Sequence, residues 1–510
     1  MITFSKLGDY GRLGNSLFQV AATIGLANRN NSDYGIKKWQ YSYLFDYDFN
    51  EYDLFSEPDH TYNEPQFIYD PTDFEGWEDR FRNNTVDLLG YFQNEKYFPS
   101  NIREIFKIKQ EHIDRVKEKY TKLFSKPTIA IGVRRGDYVG NPGYYQLPAR
   151  YYIQALQKLD YKNCNLIFIS DDINWCWFHF KAFPNAYFPK GDEVDHFILG
   201  MLTDYSITSN STFHWWSAYL GNASTVLQPS HLFAGHLLDK NWNVNFYIEN
   251  DRFKIYNHEK EKIDLSDVTI TIPVKYDHPH RKRNLELTVG FLKENFDVNI
   301  IIGEQMIDDK REFETFAQND TYLCWPDGPF HRTRMLNQMA KEAETPIIVN
   351  YDCDILLAPA ALLVATEHLR NGTCDFVYPY EYTIMDVKAS LYKGDPAVYA
   401  PEIHDRWTYV RPTLGGIVLI KKDIFVFSGG ENENFISYGP EDVERYERWL
   451  KLGFGHRRVR GHIYHLMHWR GPDSGTTHKH YDDGVKELKR VREMNLEELS
   501  TYVATWNNFT

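Results

Sequence analysis

The sequence has no long apolar run and no excess of positive charge, and each absence excludes a class of protein. No stretch reaches the roughly 18 uninterrupted apolar residues that a membrane-spanning helix needs. The first residues, MITFSKLGDYGRLGN, lack the apolar core of a signal peptide. The net charge of −14 argues against a protein that coats nucleic acid or an anionic membrane.

Cysteine is scarce as well: the chain has only 5, an odd number, without the CxxC spacing of a metal or redox site. Few thiols without a pairing pattern are typical of a reducing compartment, which excludes a disulfide-stabilised secreted scaffold. A cytoplasmic location is therefore predicted. The cysteines are Cys164, Cys176, Cys324, Cys353 and Cys374.

The length of 510 residues is too great for one ordinary hydrophobic core. Apolar β-branched runs at 128–133 and 165–170 alternate with helical patterns, which predicts βα units and a parallel sheet. Segment 250–266 is charged and weakly patterned, and a new strand is predicted directly after it. We therefore predict an α/β fold with two domains, residues 1–255 and 265–510.

Beyond that boundary the pattern again alternates between strands and helices. The predicted order is strand 268–273, helix 283–295, strand 298–303, helix 333–344, strand 346–351 and, later, strand 415–420.

Two segments of the N-terminal half place polar residues where a ligand is expected. In GRLGNSLFQ (11–19) two glycines precede an amphipathic helix, whose first backbone N–H groups suit an anion. VRRGDY (133–138) follows a buried strand, at the edge where open α/β sheets bind ligands. Arg134 or Arg135 is predicted to bind a diphosphate. Asp137 is predicted to orient an arginine or to bind a sugar hydroxyl. A structural Arg–Asp pair is the alternative.

A third segment, SNSTFHWWSAYL (209–220), also follows a predicted strand. Its hydroxyl groups and amide suit a phosphate, and Phe213 suits stacking on a base. The alternative is an aromatic stripe in the core, where we expect Trp215 and Trp216.

Taken together, these segments resemble the α-1,2-fucosyltransferase family. The matching segments, in the family's order and approximate spacing, are GRLGNSLFQ, GYFQNEKYF (90–98), VRRGDY, SDDINWC (170–176) and NSTFHWW (210–216). The resemblance covers about residues 1–240. It implies a GT-B-like, Rossmann-type fold, GDP-fucose as the donor, and metal-independent transfer with inversion to a sugar hydroxyl.

The donor site predicted for this half combines the resemblance with the residue types. The resemblance implies that Arg134, counted among the catalytic residues, holds the donor diphosphate. The other predicted donor-binding residues are Gly14, Asn15, Arg135, Asp137, Asn210, Ser211, Thr212 and Phe213.

The N-terminal half departs from the family at two positions. The family usually has His two residues before the first Arg, where this chain has Gly132, and Gln after Gly-Asn, where this chain has Ser16. Donor or acceptor preference is therefore open, and so is activity itself. No general base is predicted in this half.

In the C-terminal half, Asp352 and Asp354 follow the apolar strand PIIVNY, so that both carboxylates emerge at one strand end. Two hard oxygen ligands there suit Mn²⁺ or Mg²⁺ bridging a nucleotide diphosphate. A DxD alone is common and usually carries no function. The basic run His280–Arg283 is a further candidate phosphate site, with a solvated loop as the alternative.

The surrounding motifs resemble inverting GT-A transferases of the galactosyltransferase and chondroitin-polymerase group, over about residues 265–480. They are FHRTRMLN (330–337), GGIVLIKKDIF (415–425), FISYGPEDVERYERW (435–449) and HIYHLMHWR (462–470). The resemblance implies that a metal bridges the phosphates of a UDP-sugar. Asp354 is then the main metal carboxylate, and Asp352 contacts the ribose or the metal. His465 is the first choice for a further metal ligand, with His468 the alternative.

The catalytic base is predicted in YGPED, at the start of a helix whose dipole favours carboxylates, with ordinary helix capping as the alternative. The family pattern implies Asp442 as the base and Glu441 as the residue that orients the acceptor. Gly416 is predicted to allow close approach of the donor sugar, and Arg332 to contact the base or a phosphate. The family's Trp-Gly-Gly is absent before Glu-Asp, so a different acceptor platform is expected.

The sequence thus predicts a cytoplasmic, bifunctional glycosyltransferase that adds fucose and a hexose, with galactose the leading candidate, to a glycan or glycoconjugate acceptor. The predicted ligands are GDP-fucose, UDP-galactose or another UDP-hexose, and Mn²⁺ or Mg²⁺. One alternative is a single UDP-sugar transferase whose N-terminal half has become a glycan-binding module. Another is a carbohydrate-binding scaffold without activity.

Overall fold

The computed structural model forms two compact units. One comprises Met1–Cys176 and Asn185–Glu261, and the other comprises Trp177–Pro184 and Lys262–Thr510. That residues 1–255 and 265–510 are two independently folding domains stays a prediction. The structure describes residues 1–53, 55–65, 69–70, 74, 77, 83–238, 248–317, 320–400, 409–471, 474–506 and 508–509.

The first unit contains two sheets in which all strands run parallel. The first has the order β3-β2-β1-β5-β4 and the second β11-β10-β9-β6-β7-β8. The strands are β1 Ile2–Phe4, β2 Tyr34–Lys37, β3 Glu51–Tyr52, β4 His60–Asn63, β5 Val86–Leu89, β6 Thr128–Val133, β7 Asn165–Ser170, β8 Ala186–Tyr187, β9 Tyr205–Ile207, β10 Thr225–Pro229 and β11 Phe253–Tyr256.

Three of the α-helices described in the N-terminal half, those that start at Leu13, Ile173 and Thr212, begin within the predicted motifs. The full set described there is Leu13–Arg29, Ile102–Ile105, Gln110–Lys119, Ala149–Gln157, Ile173–Phe180, Glu193–Met201, Thr212–Leu220 and Gly235–Leu238.

The centre of the second sheet follows directly from the sequence. Every residue of β6, TIAIGV, is buried, as is nearly every residue of β7, NLIFIS. β-branched and apolar runs of this kind are typical of parallel strands covered on both faces. Because β6 ends at Val133, the polar segment VRRGDY begins at the carboxyl edge of the sheet.

The second unit combines a seven-stranded sheet, β14-β13-β12-β15-β20-β17-β21, with a four-stranded sheet, β16-β22-β18-β19. β12, β13, β14 and β15 run parallel, whereas β20 pairs antiparallel with both β15 and β17. The strands are β12 Ile263–Lys275, β13 Phe296–Gln305, β14 Thr321–Trp325, β15 Ile347–Tyr351, β16 Ile355–Leu357, β17 Phe376–Tyr378, β18 Thr383–Val387, β19 Tyr409–Pro412, β20 Ile417–Lys421, β21 His456–Arg458 and β22 Ile463–Leu466.

The α-helices described in this unit include both helices that begin at predicted site residues. They are Pro279–Asn295, Glu314–Ala317, Arg332–Glu342, Pro359–Arg370, Lys422–Phe427, Glu441–Lys451, Tyr481–Glu493 and Leu496–Ala504.

The prediction of a mixed α/β protein with parallel sheets is confirmed. Two details differ from the sequence interpretation. The segment 250–266, treated as a boundary, contains β11, whose middle residues are exposed, so that its apolar pattern is weak. The strand predicted at 415–420 exists as β20, but its antiparallel direction was not foreseen. Within the described residues, the helices are all too short or too polar to cross a membrane.

Candidate active sites

The first unit contains a cavity of 560 Å³, within the range of small-molecule sites. It lies where the three predicted motifs meet, and nearly all the residues predicted for this half line it. The predicted residues that line it are Gly14, Asn15, Arg134, Asp137, Asn210, Ser211, Thr212 and Phe213. The structure therefore brings together residues that lie far apart in the sequence, from Gly14 to Phe213.

The first turns of the helices Leu13–Arg29 and Thr212–Leu220 pack against each other at this cavity. A Cβ added to Gly14 would lie 2.5 Å from the backbone nitrogen of Phe213, so only glycine fits without a shift. The Asn15 Oδ1 atom accepts hydrogen bonds from Thr212 Oγ1, at 2.9 Å, and from Gln93 Nε2, at 3.1 Å. This contact fixes two helix N-termini at one cavity wall.

Within the described residues, neither of these two helix N-termini has a side-chain N-cap hydrogen bond. Arg12 and Ser211 are the N-cap residues of the helices Leu13–Arg29 and Thr212–Leu220, and neither side chain accepts a capping hydrogen bond in the part of the chain that the structure describes. The first backbone N–H groups of a helix attract an anion, and the helix dipole adds to the effect. With Arg134 also lining the cavity, the site suits a phosphate group.

The two neighbouring arginines differ in position. Arg134 forms ion pairs with Asp137 and, at 2.7 Å, with Asp171, and both carboxylates line the cavity with it. Arg135 stacks on the ring of Trp175 at 4.3 Å and its Nε donates to Asp172. The Arg135 side chain is not among the cavity-lining residues. Of the two predicted alternatives for a diphosphate contact, the geometry therefore favours Arg134.

The second unit has its own cavity of 440 Å³, at the carboxyl ends of β12 and β15. Every residue predicted for the donor, the acceptor, the metal and the base of this half lines it, and of the basic run His280–Arg283 only Arg281 does. The first group is Arg332, Asp352, Asp354, Gly416, Glu441, Asp442, His465 and His468.

Three of the predicted metal ligands meet in this cavity. Ligand atoms of Asp354, His465 and His468 all lie within 4.8 Å of one another. The meeting follows from sheet pairing, because β16, which begins directly after Asp354, pairs with β22, which carries His465. Asp352 instead accepts hydrogen bonds from Arg332 at 2.8 and 3.1 Å. The structure thus groups His465 and His468 with Asp354, and it pairs Asp352 with Arg332.

The charges around this cluster are of both signs, with Asp386 beside His465 and Arg281 beside Asp354. The pKa of the Asp354 carboxyl lies well below its usual range: burial would raise it, but His465 and Arg281 outweigh burial. Burial alone would lower the pKa of His465, yet Asp354 and Asp386 raise it to about 9. The carboxylates thus stabilise positive charge at His465, and a divalent metal ion that replaced its proton would take up the same interaction.

The sequence interpretation missed the partners that hold this cluster. Asp386 Oδ1 lies 2.6 Å from Nδ1 of His465, which leaves Nε2 facing Asp354. Arg281 Nη1 donates to Asp354 Oδ2 at 2.8 Å. Arg281 belongs to the basic run noted in the sequence, whereas no motif marks Asp386, which lies on β18.

The predicted base, Asp442, is held by arginines. Its Oδ1 atom lies 2.7 Å from Arg445 Nη2 and 3.6 Å from Arg332 Nη1. A Cβ added to Gly415 would lie 2.4 Å from Asp442 Oδ2, so this glycine, which the sequence interpretation missed, makes room for the carboxylate. Gly416 has φ of +89°, a conformation that favours glycine. The glycine pair thus shapes the wall beside Asp442.

Glu441 differs from its neighbour because it is buried. Burial, reinforced by the negative charge of Asp442, raises the pKa of Glu441 to about 8. The Glu441 Oε2 and Ser437 Oγ atoms are buried without a hydrogen-bond partner among the described residues. Both residues line the cavity. Orphaned polar atoms in a cavity wall suit a ligand rich in hydroxyl groups.

Comparison with known proteins confirms the predicted resemblance of both halves. Residues 9–248 match the family described as glycosyl transferase family 11. Residues 402–470 match the family described as the N-terminal domain of galactosyltransferase. Together with the relatives below, these matches support a glycosyltransferase enzyme.

Two relatives from Escherichia coli match the chain. An α-1,2-colitosyltransferase is 34% identical over 157 residues, which cover 27% of this chain and 52% of that protein. The O-antigen biosynthesis glycosyltransferase WbnK is 29% identical over 173 residues, which cover 30% of this chain and 57% of that protein. The chain therefore spans about half the length of these relatives.

Among solved structures, the catalytic domain of Drosophila β1,4-galactosyltransferase 7 in complex with xylobiose is 18% identical to the chain, with a TM-score of 0.28. The match covers 46% of this chain and 83% of that one. A TM-score at this level establishes neither fold nor function.

Proposed function

We propose that the chain is a bifunctional glycosyltransferase with one donor site in each unit. The N-terminal unit transfers L-fucose from GDP-fucose, and the C-terminal unit transfers a hexose, galactose being the first candidate, from a UDP-sugar. Both transfers invert the anomeric centre, and both acceptors are sugar hydroxyls of a glycan or glycoconjugate. The central observation is that each unit gathers nearly all of its predicted residues in one cavity.

The proposal extends to fold type and location. A GT-B-like, Rossmann-type fold of the N-terminal unit is supported by its pair of parallel sheets, and a GT-A fold of the C-terminal unit by the DxD at the end of β15. A cytoplasmic location is supported by the cysteines, which are all free.

In the N-terminal cavity, Arg134 and the two helix N-termini would bind the diphosphate. Their positive charge stabilises the GDP that leaves as the sugar–phosphate bond breaks. This site needs no metal ion, because the leaving charge is met by arginine and backbone N–H groups.

In the C-terminal cavity, Asp354, His465 and His468 would hold the metal ion, and their imidazole donors favour Mn²⁺ over Mg²⁺. Bound there, the ion would neutralise the phosphates of the UDP leaving group. Arg281 lies beside Asp354 and would contact the same diphosphate. Asp352, held by Arg332 rather than by the cluster, would contact the nucleotide ribose.

Asp442 would act as the general base of this unit. An acceptor hydroxyl attacks the anomeric carbon from the face opposite UDP, and the Asp442 carboxylate takes its proton as the new glycosidic bond forms. Arg332 and Arg445 keep this carboxylate oriented. Glu441, held protonated by burial, would donate a hydrogen bond to the acceptor.

A second candidate for the N-terminal unit is transfer of colitose, favoured by the name of the relative that is 34% identical. A polysaccharide acceptor is likewise favoured by the name of the O-antigen biosynthesis relative. The glycan-binding alternative for this unit predicts that no donor is turned over there.

The test uses full-length protein with GDP-fucose, a colitose donor and UDP-galactose, and detects glycan products by mass spectrometry. Arg134→Ala is expected to abolish transfer of fucose or colitose and to leave galactose transfer intact. Asp354→Asn is expected to abolish galactose transfer and to leave transfer of fucose or colitose intact. Each variant thereby serves as the folding control for the other. Transfer from no donor across a broad acceptor panel would overturn the proposal.

A further inference from the structure

Gly132 leaves space behind the wall of the N-terminal cavity, and the imidazole of a cavity-lining residue, His214, occupies that space. A Cβ added to Gly132 would lie 2.4 Å from Cγ of His214, far inside van der Waals contact. Gly132 lies in β6, two residues before Arg134, whereas His214 lies in the first turn of the helix Thr212–Leu220. The sequence resemblance leads one to expect a histidine at position 132. The chain has an imidazole at that place in space, supplied by a different residue.

The surroundings of His214 are those of a ligand-binding side chain. It lines the cavity together with Arg134 and Phe213, although only 8% of its surface is exposed. Its Nδ1 atom lies 2.7 Å from the hydroxyl of Ser209, which is fully buried. A neutral imidazole offers one donor and one acceptor nitrogen. Because Nδ1 engages Ser209, Nε2 is the nitrogen that can engage a ligand.

Burial keeps this imidazole uncharged. Burial, together with the positive charges of Arg134 and of His196 when it is protonated, lowers the pKa of His214 to about 3. In the cavity, Arg134 therefore supplies the positive charge, and His214 supplies a directional hydrogen bond.

We propose that His214 binds the nucleotide sugar of the N-terminal cavity, forming a neutral hydrogen bond to an oxygen of the diphosphate or of the sugar, in place of the side chain absent at Gly132. This inference rests on the proposed function of the N-terminal unit and deepens it. It implies that positions 132 and 214 are coupled, because the space between them holds one imidazole ring but not two. The departure at Gly132 is then a relocation of the imidazole rather than its loss.

The test is a double-mutant cycle in full-length protein, with dissociation constants for GDP-fucose and GDP measured by calorimetry. His214→Ala is expected to weaken GDP-fucose binding roughly tenfold, the worth of one hydrogen bond. Gly132→His is expected to weaken it at least as much, because two rings compete for one space. The double variant Gly132→His/His214→Ala is expected to bind within about threefold of the wild type.

Two further variants separate binding from folding. His214→Gln keeps a hydrogen-bond donor and is expected to bind more tightly than His214→Ala. His258 is another buried histidine of the same unit that does not line the cavity. His258→Gln is expected to change the melting temperature but not the dissociation constant.

The outcomes distinguish the inference from the function on which it rests. A loss of affinity shared by GDP and GDP-fucose assigns the contact to the diphosphate, and a loss confined to GDP-fucose assigns it to the sugar. Wild-type affinity in His214→Ala would overturn the inference but not the proposed function. So would a double variant in which the losses of binding free energy of the two single variants add up. Failure of the wild-type chain to bind either ligand would overturn the proposed function and the inference with it.

Discussion

At the scale of single residues, the surroundings of Asp442 and Glu441 give these two adjacent carboxyl groups different chemical properties. Asp442 lies against Arg445 and Arg332, whereas Glu441 is buried and its pKa is raised to about 8. One group is therefore suited to accept a proton and the other to donate a hydrogen bond.

The first prediction concerns Glu441 and pH. Below about pH 8 its carboxyl is protonated; as pH rises past that value it ionises, loses its donor and adds a negative charge beside Asp442. We expect kcat/KM for hexose transfer to fall above about pH 8. Glu441→Gln, which keeps an N–H donor and cannot ionise, should remove this alkaline decline. An unchanged decline in the variant would exclude Glu441 as its cause.

The second prediction concerns Asp386, which holds Nδ1 of His465 at 2.6 Å. Loss of such an orienting carboxylate typically weakens metal affinity by about 10- to 100-fold. We expect Asp386→Asn to weaken Mn²⁺ binding within that range in a calorimetric titration. Asp423→Asn, an exposed carboxylate of the same unit, is the control and should bind Mn²⁺ like the wild type. Equal affinity in both variants would contradict the positioning role.

The residues that the sequence predicted and those that it missed differ in kind. Asp354 was predicted from the DxD that follows a strand, and His465 and His468 were predicted from the resemblance of segment 462–470. Side chains alternate between the faces of an extended segment, so only one of Arg134 and Arg135 reaches the cavity, and sequence alone left that choice open. Asp386 carries no motif, and only the pairing of β18 with β22 brings it to His465.

At the scale of secondary-structure elements, the ends of strands and helices build both sites. The buried strands β6, β7 and β15 were predictable because their apolar runs are uninterrupted. The direction of β20 was not, because alternation of side chains gives no strand direction. Antiparallel pairing of β20 with β15 is nevertheless what places Gly416 beside Asp352, whose backbone N–H donates to the Gly416 carbonyl at 2.9 Å.

The third prediction concerns the contact between two helix N-termini at Gly14. A methyl group there would meet the backbone of Phe213 at 2.5 Å and force the helices apart. We expect Gly14→Ala to destabilise the fold by about 1–3 kcal/mol, the usual cost of overpacking, and to weaken GDP binding. Chemical denaturation and calorimetry would measure both effects.

The matched control is Gly290→Ala, at an exposed helical position where a Cβ meets no atom within 4 Å. This variant should gain about 0.5–1 kcal/mol, because alanine favours a helix over glycine. A neutral Gly14→Ala would show that the close approach is not required.

At the scale of the whole molecule, the two cavities meet the charge of a nucleotide diphosphate in different ways. The N-terminal cavity offers Arg134 and uncapped helix N-termini, and the C-terminal cavity offers the cluster Asp354, His465 and His468. A metal ion should therefore matter to one site only. Two active sites in one chain would also raise the effective concentration of one product at the other site.

The most direct measurement is nucleotide release by the full-length chain from GDP-fucose and from UDP-galactose, before and after EDTA and after Mn²⁺ is restored. We predict that EDTA abolishes UDP release, that Mn²⁺ restores it, and that GDP release is unchanged throughout. UDP release that survives EDTA, or GDP release that EDTA abolishes, would contradict the account of two chemically distinct donor sites.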